Sequence, residues 1–223
     1  PILDGSKSQY GTIRTLNAAT EEFTLSRDRS FSIEVDKMDS DETKQQVAAA
    51  SALARQQREV ITPEIDSYVY SVMAAKAGIL PAAKALTADN IYTEIITANA
   101  QMDDAEVPAA GRALILTPTA YTLIKQSKAT FDNQDIGADL RKKGVIAQLD
   151  GLNVVKIASN RLPEKFGFMI AHPVATVAPV KLAEYKIHLD PPFLSGSLVE
   201  GRIYYDAFVL ENKTKAIYYQ AIV

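Results

Sequence analysis

The chain has 223 residues, of which 47% are hydrophobic and 23% charged, and this length and balance are typical of a globular protein with a sizeable core. Its formal charge of -3 gives the surface as a whole no electrostatic preference for nucleic acid, and the absence of cysteine excludes disulfides and thiol nucleophiles. No apolar stretch reaches the roughly 18 to 20 residues that a membrane helix needs, so we expect no membrane partner. The chain begins with Pro1 instead of Met, which predicts a processed or truncated amino terminus.

Residues 1–37 predict extended structure, because apolar and polar side chains alternate along part of this segment. A period of two is typical of a half-buried strand. The apolar members of the pattern are Phe23, Leu25, Phe31, Ile33 and Val35. The polar tract 26–30 interrupts the alternation, as a turn or a bent strand would, and we therefore expect a long two-stranded ribbon. Such a ribbon is marginal alone in water, and we therefore expect another surface, such as that of a second copy, to cover its apolar face.

A long helix is predicted after the ribbon. Asp39 and Glu42 form a plausible capping pair, and apolar residues then recur at helical spacing as far as Met73. Pro63 interrupts the pattern, and the sequence leaves open whether a second helix begins there or one long helix is kinked. In both cases we expect a rod that ends near Gly78.

After Leu86, short helical and strand patterns alternate, which favours an α/β domain with a central sheet. Thr87 and Thr117 are typical helix starts, and the polar stretch 127–144 predicts a loop. The predicted strands of this region are 113–116, 152–157 and 166–170.

From Lys181 onward the pattern is again that of strands. The predicted strands are 186–189, 202–210 and 216–223. Residues 211–215 predict the turn between the last two strands, which would then form a hairpin.

Residues that could carry chemistry are few and isolated. His172 and His188 do not stand at metal-ligand spacing, and the pattern identifies no base beside Asp103-Asp104. The sequence contains no nucleophile elbow, phosphate-binding loop or dinucleotide fingerprint. We therefore predict no catalytic residue, no metal site and no cofactor. Chemistry alone identifies only an α/β protein with an unaccompanied ribbon.

Three stretches resemble the major capsid protein family of tailed bacteriophages, which shares the Hong Kong 97 shell fold. The first, residues 27–43 (RDRSFSIEVDKMDSDET), is similar to the return strand of the family's extended loop as it runs into the spine helix. The second, 60–68 (VITPEIDSY), resembles the middle of that helix. The third is at the carboxyl end, at 171–173, at 178–181 and at 199–210 (VEGRIYYDAFVL).

The resemblance implies an α+β phage major capsid protein fold with three parts. Residues 1–37 would be an extended β-ribbon loop that reaches over a neighbouring subunit. Residues 38–85 and 179–223 would form a peripheral domain with the spine helix and long strands. Residues 86–178 would form the axial domain that clusters at capsomer centres. The implied function is that of a coat protein, not an enzyme, which self-assembles into the icosahedral shell around phage DNA.

The same resemblance implies the partners and the location. Copies of the chain would form capsomers and the shell, a scaffolding protein and a maturation protease are further partners, and packaged DNA would be contacted only non-specifically. Assembly would take place in the bacterial cytoplasm and the protein would reside in the virion capsid. The candidate subunit-interface residues are Phe23, Leu25, Arg27, Arg29, Phe31, Ile33, Arg141, Lys142 and Lys143. For the three basic residues a solvated loop is the simpler interpretation, because no aromatic residues are interleaved for stacking.

Two alternatives remain open from the sequence. An encapsulin-like nanocompartment shell protein shares the fold and would be distinguished by a cargo-docking groove. A small α/β enzyme or binding module would instead present a deep, polar-lined pocket with perturbed titrating groups.

Overall fold

The computed structural model describes residues 20–38, 49–127, 148–189 and 191–223. The helices are α1 (Ala49–Gln56), α2 (Thr62–Ala75), α3 (Ile91–Asp104) and α4 (Pro118–Gln126). The strands are β1 (Arg27–Asp36), β2 (Ala113–Leu116), β3 (Gln148–Leu149), β4 (Leu152–Lys156), β5 (Phe166–Ala171), β6 (Thr176–Val177), β7 (Val180–Leu189), β8 (Gly196–Tyr205), β9 (Phe208–Val209) and β10 (Ile217–Ala221). They form three sheets, with the strand orders β1-β8-β7, β10-β5-β2-β4-β3 and β6-β9.

α1 and α2 belong to one continuous helix, since a turn of π-helix at Gln57–Ile61 joins them. The backbone N–H of Thr62 bonds to the Gln57 carbonyl, and the Thr62 hydroxyl donates to the same oxygen at 2.9 Å. Pro63 has no N–H, and its ring would collide with the carbonyl four residues earlier in a regular helix. The wider turn relieves both problems. The alternative of a single long helix is therefore correct, and residues 49–75 are called the spine helix below; its predicted start at Asp39 lies outside the described residues.

The carboxyl end of the spine helix approaches another backbone closely. The Gly78 N–H donates to the Thr214 carbonyl at 2.9 Å, and a Cβ on Gly78 would lie 2.5 Å from the Thr214 carbonyl carbon. Only glycine permits this approach without a shift of the backbone. The predicted end of the rod at Gly78 thus coincides with a contact to the carboxyl-terminal segment.

The five-stranded sheet is covered on both faces. One face packs against α3 and α4, and the other packs against the end of the spine helix. All six residues of β5 are buried, which explains why this strand has a continuous apolar sequence. The buried side chains of the two faces include Ile95, Met102, Leu114, Phe168 and Tyr218 on the first, and Met73, Ile115, Met169 and Ile217 on the second.

The predicted carboxyl-terminal hairpin is wrong. β8 pairs with β1 and β7, whereas β10 pairs with β5 in the five-stranded sheet. A 3-10 turn at Glu211–Ala216 separates them, and Ile217 and Tyr218 are buried on opposite faces of the central sheet. If β10 paired with β8 in a hairpin outside the central sheet, Ile217 or Tyr218 would be exposed to water. The division of the chain into an axial and a peripheral domain stays a prediction. β10, which that division assigns to the peripheral domain, lies in the five-stranded sheet.

The ribbon also differs from its prediction. β1 is one strand that pairs antiparallel with β8 along its whole length, from Arg27 opposite Tyr205 to Asp36 opposite Gly196. Of the two alternatives for residues 26–30, the turn is wrong, because residues 27–30 continue the strand. Arg27 and Arg29 lie on the same face of β1 as Phe31, which is the face toward the spine helix, so the period of two continues although Arg29 remains exposed. The remainder of the predicted ribbon, residues 1–19, lies outside the described residues.

Candidate subunit interface

The three-stranded sheet has one face against the spine helix. On β8 this face carries Val199, Ile203 and Tyr205, all buried. Between them, Gly201 lies opposite Phe31 on one side and Tyr185 on the other. A Cβ on Gly201 would be 2.3 Å from the Phe31 ring and 2.7 Å from the Tyr185 ring. The glycine therefore provides the space in which the two rings approach, with centroids 6.3 Å apart.

Substitution of Gly201 by alanine is expected to lower the free energy of unfolding by about 1–3 kcal/mol, because both rings must leave their positions. Urea unfolding of the unassembled protein measures this difference. Ser30→Ala, on the exposed face of the neighbouring strand, is the matched control and should change the value by less than about 0.5 kcal/mol. An unchanged urea midpoint for Gly201→Ala would contradict the tight packing.

The opposite face of the sheet is polar and exposed. Arg202 Nε donates to Asp28 Oδ1 at 3.0 Å, and His188 Nε2 lies 3.3 Å from Glu200 Oε2. The hydrogen bond from Arg202 lowers the pKa of Asp28. An open groove of about 420 Å³ runs over this face and includes Lys186 in its lining. Charges of both signs alternate across the strands, so the face suits a polar contact and lacks the enclosure of a typical small-molecule site.

Arg27 and Arg29 connect β1 with the spine helix. The Arg27 guanidinium lies 4.0 Å from the centroid of the Tyr68 ring, within the range of a cation–π contact. Arg29 Nε donates to Glu64 Oε1 at 2.7 Å. Tyr68 and Glu64 are one helical turn apart, so the two contacts lie side by side along the helix.

Asp206 connects three parts of the chain. Its carboxylate, which is only 3% exposed, accepts hydrogen bonds from the Ser26 N–H at 2.8 Å and hydroxyl at 2.9 Å. It also accepts from the Tyr68 hydroxyl at 2.6 Å and from the Ala207 N–H at 2.8 Å. Burial alone would raise the pKa of Asp206, but the bonds from Tyr68, Ala207 and Ser26 outweigh it, so the pKa lies below its usual value. We call Ser26, Tyr68 and Asp206 the anchor.

The segment before β1 follows the surface of its own protomer. Phe23 stacks on Phe208 with ring centroids 4.6 Å apart, and the Leu25 carbonyl accepts a hydrogen bond from the Tyr204 hydroxyl at 2.6 Å. Phe23 remains more than one-third exposed in this contact. Stacking and the hydrogen bond hold the segment without regular secondary structure.

The structure thus gives the predicted interface residues contacts within their own protomer. Phe23, Leu25, Arg27, Arg29 and Phe31 have the contacts described above, and Ile33 is half-buried on the same face of β1. That they also contact a second copy stays a prediction. Arg141, Lys142 and Lys143 lie outside the described residues.

Sequence reasoning missed the anchor, although one signal was present. Asp206 is the only charged residue in the run from Tyr204 to Leu210. A carboxylate within an apolar run is expected to be buried with several hydrogen-bond donors. The pattern does not indicate which donors these are, since Tyr68 and Ser26 are distant along the chain.

The far end of the three-stranded sheet exposes large apolar side chains. Met38 follows β1 and is 71% exposed, Leu189 ends β7 and is 76% exposed, and Phe193 in the turn before β8 is fully exposed. These three residues are called the apolar tip. Large apolar side chains grouped at one projecting end are typical of a contact with another molecule.

The residues in the described part of the chain include no group of three or more His, Cys, Asp or Glu that could hold a metal ion. None of the helices resolved in these ranges has the length and apolar character needed to cross a membrane.

Solved structures with a similar fold include phage structures and an archaeal particle. A structure from Mycobacterium phage Che8 matches with a TM-score of 0.71 at 18% identity, over 94% of this chain and 81% of that chain. The capsid structure of cyanophage P-SCSP1u matches with a TM-score of 0.73 at 18% identity, over 100% and 81%. A virus-like particle from Pyrococcus furiosus matches with a TM-score of 0.61 at 14% identity, over 96% and 83%.

Neither a family model nor a curated protein sequence matches the chain. The similarity in structure nevertheless extends over nearly the whole chain, including the spine helix and all three sheets. The chain therefore has the fold of phage capsid proteins, which confirms the fold that its sequence resemblance predicted.

Proposed function

We propose that this protein is a structural coat protein whose copies assemble into the icosahedral shell that encloses phage DNA. The observation that carries the proposal is the match of the whole chain to a cyanophage capsid structure at a TM-score of 0.73. The role is structural and not enzymatic. The fold shared with phage capsid structures supports a structural role.

The shape of the three-stranded sheet supports assembly. Its strands are ten residues long, and the two outer strands, β1 and β7, each have one edge that pairs with no other strand in the described structure. Such edges expose backbone donors and acceptors that need water or a partner. In this proposal the sheet extends over a neighbouring copy, and modest contacts repeated by symmetry close the shell.

The division of labour within the protomer follows the family pattern. The spine helix and the three-stranded sheet belong to a peripheral domain, and the five-stranded sheet with α3 and α4 belongs to an axial domain at the capsomer centre. A scaffolding protein and a maturation protease act during assembly in the bacterial cytoplasm, and packaged DNA is contacted non-specifically. The overall charge of -3 suits a wall along which DNA slides without adhering.

A nanocompartment shell is the second candidate function. The match to a virus-like particle from Pyrococcus furiosus favours it, at a lower TM-score of 0.61. Both functions require closed shells of identical subunits, and they differ in the contents of the shell. Phage particles hold DNA after packaging, whereas a nanocompartment holds protein cargo.

Electron microscopy and analytical ultracentrifugation of the protein expressed in bacteria, with and without a scaffolding protein, test the proposal. We expect closed particles of uniform size that sediment far ahead of the 24.3 kDa protomer. Particles from an infected or induced host should contain nuclease-protected DNA, whereas protein cargo without DNA would favour the nanocompartment. A monomer under all these conditions would contradict both functions.

A further inference from the structure

The turn between β7 and β8 combines an unfavourable backbone with an unfavourable side-chain position. Phe193 has a φ of 72°, in the left-handed region that bulky residues rarely adopt. Its side chain is also fully exposed to water. Glycine or asparagine would be the usual residue at such a position. Among the described residues, none buries the phenylalanine ring.

The apolar tip is held by several backbone contacts. The Lys37 N–H donates to the Ser195 carbonyl at 3.1 Å, and the Leu194 N–H donates to the Pro191 carbonyl at 3.3 Å. A Cβ on Gly196 would lie 2.2 Å from the Val35 carbonyl oxygen, so the two strands approach closely beside the turn. These contacts fix the direction in which Phe193 projects from the end of the sheet.

We propose that the apolar tip, with Phe193 at its centre, is a contact between copies of this chain in the assembled shell. The inference rests on the proposed function. Backbone strain at an exposed aromatic residue is explained if the ring becomes buried only after assembly. Met38, which follows β1, and Leu189, the last residue of β7, are exposed at the same end of the sheet.

The size of the tip favours a second copy as the occupant. Three large side chains bury on the order of 500 Å² at most, which is below the roughly 800 Å² per partner of a stable binary complex. A contact of this size is weak alone, but in a closed shell it is repeated in every subunit. The apolar tip should therefore not dimerise the protomer in dilute solution. It should instead lower the protein concentration at which shells form.

The test compares variants by light scattering across a protein concentration series and by electron microscopy. Phe193→Gly removes both the ring and the strain, and we expect the critical concentration for assembly to rise at least about tenfold. Phe193→Trp retains a large apolar side chain and should assemble within about threefold of wild type. Leu80→Ser, at an exposed apolar residue away from the tip, is the control for a general loss of apolar surface and should assemble as wild type does.

Thermal unfolding below the assembly concentration separates assembly from folding. Because glycine accepts the left-handed backbone, Phe193→Gly should unfold at a temperature no lower than that of wild type. Wild-type shells together with an unchanged critical concentration for Phe193→Gly would overturn the contact and leave the proposed function intact. If the wild-type protein forms no particles at all, both are overturned.

Discussion

Replacement of Asp206 by alanine is expected to lower the free energy of unfolding by roughly 2–4 kcal/mol and to release the segment before β1 from the spine helix. The carboxylate accepts four hydrogen bonds, two of them from Ser26 and one from Tyr68. Hydrogen bonds to a buried charged group contribute more than neutral ones, and their donors would lose their partner together. Urea unfolding measures the loss of stability, and hydrogen exchange of residues 20–31 measures the release.

A partial variant tests whether the effect belongs to the anchor. Tyr68→Phe removes a single donor and should therefore cost less than half as much as Asp206→Ala. Asp104→Asn, at an exposed carboxylate on the end of α3, controls for the loss of a negative charge and should change stability by less than about 0.5 kcal/mol. Unaltered exchange of residues 20–31 in Asp206→Ala would rule out the anchor as their attachment.

The same contact gives the stability a defined dependence on pH. The pKa of Asp206 is lowered in the folded protein, so its contribution is present above the unfolded value of about 3.9 and is lost as the pH falls through the folded value. The stability difference between wild type and Asp206→Asn should therefore shrink below about pH 4. The pKa of Tyr68 is raised, first by the hydrogen bond to Asp206 and then by burial. Its contribution to stability is therefore lost at high pH, as the tyrosine loses its proton.

Replacement of Arg112 by methionine is expected to lower the free energy of unfolding by about 3 kcal/mol. The guanidinium is 1% exposed and donates to the carbonyls of Pro108, Asn99 and Val107. It also pairs with Asp103, whose side chain is largely exposed. Methionine fills much of the volume but provides no donor, so these partly buried carbonyls lose their partner. Asp103 itself stays hydrated, so the cost comes from the carbonyls and not from a stranded buried charge.

Two further variants identify the origin of this loss. Arg112→Lys keeps the charge but cannot reproduce the fork of donors, so most of the destabilisation should remain. Arg58→Met removes an exposed arginine that pairs with Glu59 on the spine helix, and should cost less than about 1 kcal/mol. Equal urea midpoints for wild type and Arg112→Met would show that the donors of this side chain contribute nothing measurable.

Local patterns predicted much of the secondary structure. The strand at 113–116 agrees with β2, and the helix starts at Thr87 and Thr117 lie within four residues of α3 and α4. Thr117 is the N-cap of α4, since its hydroxyl accepts a hydrogen bond from the Ala120 N–H at 3.1 Å. The helix start predicted at Thr87 is wrong, because α3 begins at Ile91 after Asn90, whose side chain does not cap it. Capping and periodicity are local properties, so short stretches of sequence can indicate them. The prediction of the fold itself depended on resemblance, and the similarity in structure confirms it.

The sequence by itself determined that residues 31–35 are extended, that a helical rod surrounds Pro63 and that the buried strand β5 lies in a central sheet. Only the tertiary structure decided that β8 is the partner of β1 and that Arg27 and Arg29 face the spine helix. The connection of Ser26 with Tyr68 through Asp206 was likewise decided by the tertiary structure. Periodicity reports which side of an element is buried, because burial repeats with the geometry of the chain. The choice of partner depends on groups more than a hundred residues apart, and their complementarity exists only after folding brings them together.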